Sequence, residues 1–141
     1  MAMKPFCLLL AALLLIGCAA TLHDARQGPP LFTLSSDLSA KELANKIAYE
    51  STQESINSKL FPSWNPAQIF EFEDTYKLLI TFTSRGNILL IPYPPIPVAE
   101  LIIVPAKSGC YVEYRAINWT DKNTFWDLVK KCASPHNLSL K

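Results

Sequence analysis

A chain of 141 residues has the length of one ordinary domain and is large enough to bury a core. Lys4 is the one charged residue among the first 17, and beyond it the twelve remaining Lys and Arg balance the twelve Asp and Glu. That neutrality excludes a basic nucleic-acid binder and a charged, disordered tail protein. The apolar run from Phe6 to Ile16 is eleven residues long, short of the roughly 20 that cross a bilayer. No second long run follows it, which excludes a polytopic membrane protein.

In chain order the first element is an address. Lys4, the apolar run and the small residues after it have the form of a signal peptide over residues 1–17. The junction Leu15-Ile16-Gly17-Cys18 resembles the lipobox of bacterial lipoproteins at all four positions. The resemblance covers about twenty residues and identifies a processing class, not a fold. It implies a diacylglyceryl group on the Cys18 thiol, cleavage between Gly17 and Cys18, and acylation, palmitate for example, of the new amine. Two or more acyl chains hold a protein stably on a membrane where one holds it marginally. Ala19 after the cysteine, in place of Asp, resembles the default for outer-membrane sorting and implies the periplasmic face of that membrane. A general secretory signal shares the basic start and the apolar stretch. Under that alternative Asn118-Trp119-Thr120 and Asn137-Leu138-Ser139 are glycan acceptors.

Of four cysteines, Cys7 leaves with the signal and Cys18 takes lipid, so Cys110 and Cys132 remain in a compartment that permits disulfides. A bond between them closes a loop of about 23 residues, for which chain entropy gives roughly 3–3.5 kcal/mol. There is no Cys-x-x-Cys, and His136 stands alone beside Cys132, so a redox or metal pair has little support.

Residues 18–30 read as the lipidated cysteine and a flexible tether ending in Gly28-Pro29-Pro30. Leu31 to Leu34 suit a short strand or edge packing. Ser39 with Glu42 three residues on is a capping box, and Leu38 with Leu43 a hydrophobic staple, so a helix is expected over about Ala40 to Ile56. Leu43, Ala44, Ile47 and Ala48 give it one apolar stripe. A loop over 57–68 carries Phe61 and Trp64 as plugs of the core's edge. Tyr76, Leu78, Ile80 and Phe82 then alternate as a strand. Phe70 and Phe72 precede it across Glu73-Asp74, and Ser84-Arg85-Gly86-Asn87 turns into a return strand to Ile91. Glu100 to Val104 and Cys110 to Asn118 complete the strands around the turn Ala106-Lys107-Ser108-Gly109.

The segment Ile91 to Val98 holds four prolines between 92 and 97, which favours polyproline II and interrupts ladder pairing. It is either a stiff linker that blunts an edge or a protruding docking loop with Tyr93 and Ile96 as partner contacts. The last helix starts at Thr120 or Asp121 and repeats Phe125, Leu128, Val129 and Cys132 on one face. Residues 135–141 follow Pro135 as a loose tail.

The expected architecture is a single α+β domain over residues 31–134. It is a two-layer sandwich, an antiparallel meander of four to five strands with two helices on one face. Thr81, Thr83, Lys77, Glu113 and Arg115 are expected to point outward from the other face. His23 and His136 lie in the tether and the tail, and no catalytic, metal or cofactor motif occurs. Glu71, Glu73 and Asp74 are the one acidic cluster to weigh, either a solvated strand end or a carboxylate pair about 7 Å apart. The leading expectation is a non-catalytic envelope lipoprotein, held to the membrane through Cys18, that binds or assembles a protein partner. The alternative is a small-ligand binder, or a hydrolase, using the open sheet face.

Overall fold

The computed structural model describes residues 21–57, 64–82, 95–119 and 121–134. In chain order these form α1 (Leu22–Gln27), β1 (Phe32–Ser36), α2 (Ala40–Asn57), β2 (Gln68–Phe72), β3 (Thr75–Phe82), β4 (Ile96–Pro105), β5 (Cys110–Ala116) and α3 (Lys122–Ala133). The fold is α+β, with one open antiparallel sheet of five strands in the order β1-β5-β4-β3-β2. The meander runs from β2 to β5 as expected. The short strand β1 then docks on the far side of β5, with Phe32 opposite Tyr114 and Ser36 opposite Cys110.

Alternation along the strands separates the two faces of the sheet. Leu78 and Ile80 of β3, Leu101 and Ile103 of β4, and Val112 and Tyr114 of β5 point to one side and are fully buried. Leu43, Ala44 and Ile47 of α2 and Phe125 and Val129 of α3 join them in one core, where each Val, Leu, Ile or Phe side chain excluded from water contributes roughly 1.5–3 kcal/mol. An aromatic series threads this layer. Phe32 stacks on Trp126 at 5.3 Å and Trp126 on Tyr114 at 5.5 Å, while Phe125 meets Tyr114 at 6.0 Å and Trp64 edge-on at 5.6 Å. Trp64 therefore plugs the core's edge; Phe61 lies outside the described residues.

The capping box at α2 forms as the sequence predicts. The Glu42 amide donates to Ser39 Oγ at 3.3 Å, and Glu42 Oε2 accepts from the Ser39 amide at 3.1 Å and its hydroxyl at 2.7 Å. Ser51, a poor helix former, is fully buried on α2 because its hydroxyl accepts the Ala67 amide at 3.1 Å and so holds the chain entering β2. The end of α3 is capped from outside: Lys46 Nζ donates to the Cys132 carbonyl at 2.9 Å and Ser36 Oγ to that of Ala133 at 3.0 Å. At its start Asp121 occupies the cap position without a side-chain bond, in place of the cap expected there.

Several expectations are corrected. The described part of the stretch read as a flexible tether, residues 21–30, carries α1 with its own capping box: the Thr21 amide donates to Asp24 Oδ2 at 2.8 Å and the Asp24 amide to Thr21 Oγ1 at 3.3 Å. Leu22 is buried, so the element is docked. A six-residue helix is too short to show an apolar period, which is why the pattern missed it. Strand β3 pairs with β2 on one side and β4 on the other; the turn at 84–87 and the return strand expected over 87–91 lie outside the described residues. The prolines do not keep 96–97 out of the ladder, since Ile96 pairs with Phe82 and Pro97 with Thr81 beside a bulge between Ile80 and Thr81. Thr81, expected to point outward to solvent, is 8% exposed beside this bulge, and its hydroxyl accepts from Asn65 Nδ2 at 2.9 Å.

The expected disulfide is not formed. Cys110 and Cys132 are free thiols, each about 1% exposed and packed as a small apolar side chain. Counting cysteines leaves two thiols but does not set the Cβ separation and direction that a bridge requires.

Candidate functional site on the second sheet face

The other face of the sheet carries Gln68, Phe70 and Phe72 of β2, Thr75, Lys77 and Leu79 of β3, Glu100, Ile102 and Val104 of β4, and Tyr111, Glu113 and Arg115 of β5. The register aligns them in rows, with Phe70 opposite Lys77, Leu79 opposite Glu100, and Glu100 opposite Arg115. Helix α1 lies over the β5–β4 half. The helices are therefore not confined to one face, and the expected two-layer arrangement gains a third element here.

Glu100 fixes α1 in place. Its side chain is 1% exposed, within the apolar run Val98-Ala99-Glu100-Leu101-Ile102. Arg26, in the last turn of α1, donates from Nε to Oε1 at 2.9 Å and from Nη2 to Oε2 at 2.7 Å. These bonds push the guanidinium's pKa up from its already high value. Lys77 Nζ lies 3.8 Å from the same carboxylate, a looser contact. Arg115 pairs with Glu113 at 3.1 Å and donates to the carbonyls of Ala25, at 3.4 Å, and Gly28, so it also closes the C-terminal end of α1.

Beyond α1, over β2 and β3, the face is open. A groove of about 590 Å³ runs there, lined by Arg26, Phe70, Phe72, Thr75, Lys77 and Leu79. Phe70 is 51% and Phe72 74% exposed. All five residues of β2 are exposed, at an edge of the sheet. A smaller cavity of about 230 Å³ lies between α2 and α3, beside Trp64, Glu54 and Asp127.

The acidic cluster is dispersed by the β2–β3 turn. Strand β2 ends at Phe72, and Glu73 and Asp74 make the turn itself with φ of +46° and +63°. Glu71 instead accepts the Tyr76 hydroxyl at 2.8 Å on the opposite face and pushes that phenol's pKa up. Glu71 and Glu73 thus do not share a strand face, and the carboxylate-pair geometry does not arise. Among the described residues no three His, Cys, Asp or Glu side chains gather as metal ligands, and His23 is exposed. Gly17, Cys18 and Tyr93 lie outside the described residues. Ile96 is 49% exposed at the start of β4.

No family model matches the chain, and no curated protein or solved structure matches it. No helix among the described residues is long and apolar enough to cross a membrane.

The sequence pattern missed Arg26 and Glu100 as a pair because 74 positions separate them. The one legible signal was an acid inside the apolar run of β4, which at a buried strand position requires a cation or hydrogen-bond donors.

Proposed function

We propose that this chain is a lipid-anchored protein of the bacterial cell envelope, held through acylated Cys18 at the periplasmic face of the outer membrane, and that it acts without catalysis by binding a protein partner. The anchor rests on Leu15-Ile16-Gly17-Cys18 followed by Ala19. Only residues 18–20 separate the lipid from the Thr21 cap of docked α1, a reach of roughly 10 Å at full extension. On this reading the domain is kept against the bilayer and not on a long stalk.

The observation that carries the binding role is β2. Edge strands are usually guarded by charge, proline or a covering element. Among the described residues β2 is the last strand on its side of the sheet, and beside the one charge of Glu71 it presents Ile69, Phe70 and Phe72 to solvent, the kind of surface that receives an added strand or an apolar partner face.

Mass spectrometry of the native N-terminus tests the anchor, with a fatty-acylated Cys18 expected. A product starting at Ala20 or Thr21 without fatty acids overturns it. A photo-crosslinker at position 69, in cells, tests the partner role. A discrete crosslinked protein that disappears with Phe72→Ser supports it, and monomer alone, with a control lipoprotein crosslinking normally, overturns it.

A second reading is favoured by the groove over β2 and β3. Its volume falls within the roughly 300–1,000 Å³ of small-ligand sites, so the face also suits a small ligand.

A further inference from the structure

We propose that the groove between α1 and the β2–β3 hairpin binds a single-chain amphiphile with a monoanionic head, a long-chain fatty-acid carboxylate. The inference rests on the ligand-binding reading of this face; it shares Phe70 and Phe72 with the protein-partner reading, which the crosslink from position 69 tests separately.

The floor and outer wall are apolar. Leu79, Phe70 and Phe72 follow one another along the same side of the hairpin, and Phe72 is left 74% exposed at the turn. Such a strip leaves apolar surface in water that an alkyl chain would cover, a favourable exchange of about 25 cal/mol per Å².

The inner wall is cationic, and its charge is not fully matched. Arg26 and Lys77 both line the groove, and both meet the single carboxylate of Glu100. Two cations against one anion leave one positive charge over the apolar floor. Among the described residues, Glu113 on the same sheet face is taken by Arg115, Asp24 of α1 is held by Thr21, and Glu73 and Asp74 sit at the turn without lining the groove. Lys77 is the more loosely held of the two cations: its ammonium stands 3.8 Å from Glu100 Oε2, where Arg26 Nη2 is bonded at 2.7 Å, although the two side chains are about equally exposed. Lys77 stands opposite Phe70 in the ladder and lines the groove, so its flexible stem is able to turn the head to a second carboxylate. A neutral lipid leaves that charge unmatched, a cationic amphiphile is repelled, and a dianionic head exceeds the surplus.

The test uses the mature chain from residue 18 with Cys18→Ser, prepared without detergent, and titrates it with palmitate and, separately, with hexadecanol. Palmitate is expected to bind at one site and more tightly than hexadecanol. Lys77→Gln is expected to weaken palmitate about tenfold and hexadecanol less than about twofold. Phe72→Ser is expected to weaken both by about fivefold or more. Phe72 is largely exposed and Lys77 half-buried, and thermal melts check that each variant folds; Phe70→Ser replaces Phe72→Ser if that variant does not.

Equal affinity for palmitate and hexadecanol, or no effect of Lys77→Gln, overturns the recognition of the head. Binding only to phosphatidylglycerol vesicles, with none to monomeric palmitate, overturns the site in favour of a bilayer surface. Absence of binding to any of these, with the crosslink from position 69 retained, overturns this inference and leaves the partner reading standing.

Discussion

Arg26 and Glu100 form a two-point ion pair between a helix six residues long and the middle strand of the sheet. The two ends differ in their surroundings: the Glu100 side chain is 1% exposed and that of Arg26 43%. Removing the arginine strands a buried carboxylate with one loose contact to Lys77. Removing the acid frees a guanidinium that is able to turn to water. Arg26→Ala is therefore expected to cost about 2 kcal/mol, below the roughly 3–5 of a fully buried pair. Glu100→Gln is expected to cost less. Urea melts of both variants check the order, and hydrogen exchange at residues 22–27 should accelerate most in Arg26→Ala. Equal losses in the two variants would show that burial of the carboxylate does not control the pair.

The two thiols are expected to be inert in the folded protein. Burial pushes the Cys132 thiol up to about 11 and raises that of Cys110 as well. At pH 8 only about one Cys132 in a thousand is then a thiolate, and the thiolate is the reacting form. In the chain from residue 18 with Cys18→Ser, alkylation should be slow in buffer and reach both residues only in denaturant, where a thiol titration should count two. Migration in gels should not change on reduction. A zero count in denaturant before reduction would establish the disulfide that this structure lacks.

Two turns carry positive φ with opposite consequences. At Gly109, with φ of +80°, an added Cβ would stand 1.9 Å from the Ser36 carbonyl oxygen and 2.8 Å from Asp37 Cα, both backbone atoms. Gly109→Ala should destabilise by about 2 kcal/mol or more and loosen β1 from β5. Glu73 and Asp74 hold φ of +46° and +63° without being glycine. Asp74→Gly should relieve about 1 kcal/mol of that strain. Thermal melts check both, and the signs should be opposite.

Acid should weaken the helix starts. Hydrogen bonds from the hydroxyl and amide of Ser39 hold the Glu42 carboxyl below its usual range, and the backbone and side chain of Thr21 do the same for Asp24. A carboxylate whose pKa is lower folded than unfolded adds stability above its unfolded pKa, and that stability is lost as pH falls through the folded value. The difference in melting temperature between the parent protein and Glu42→Ala should therefore be present at pH 7 and shrink below about pH 4. Ser39→Ala should remove about 1 kcal/mol of cap at neutral pH. A difference that persists undiminished at pH 2 would place the effect of Glu42 elsewhere.

What local chemistry dictates was legible in the residues themselves. Ser39 and Glu42 marked the start of α2, the stripe through Phe125, Val129 and Cys132 gave the inner face of α3, and alternation from Tyr76 to Ile80 gave β3. Each rests on contacts within a few residues, which a one-dimensional pattern contains. The acid cluster failed as a pair for the opposite reason, since a two-residue turn at Glu73-Asp74 ended the strand that was to align it.

The sequence by itself determined the near-neutral charge balance and the α+β class, and it carries the motif Leu15 to Cys18 on which the proposed address rests, because these depend on composition, short motifs and period. Only the tertiary structure decided that residues 22–27 form a docked helix, that β1 closes beside β5, that the two buried thiols are free, and that one face is left with a groove lined by Phe70, Phe72, Leu79, Arg26 and Lys77. Each of these depends on partners tens of residues away, such as Arg26 with Glu100 or Phe32 with Tyr114, and on which of them wins a shared burial site. Local propensity carries no record of that competition.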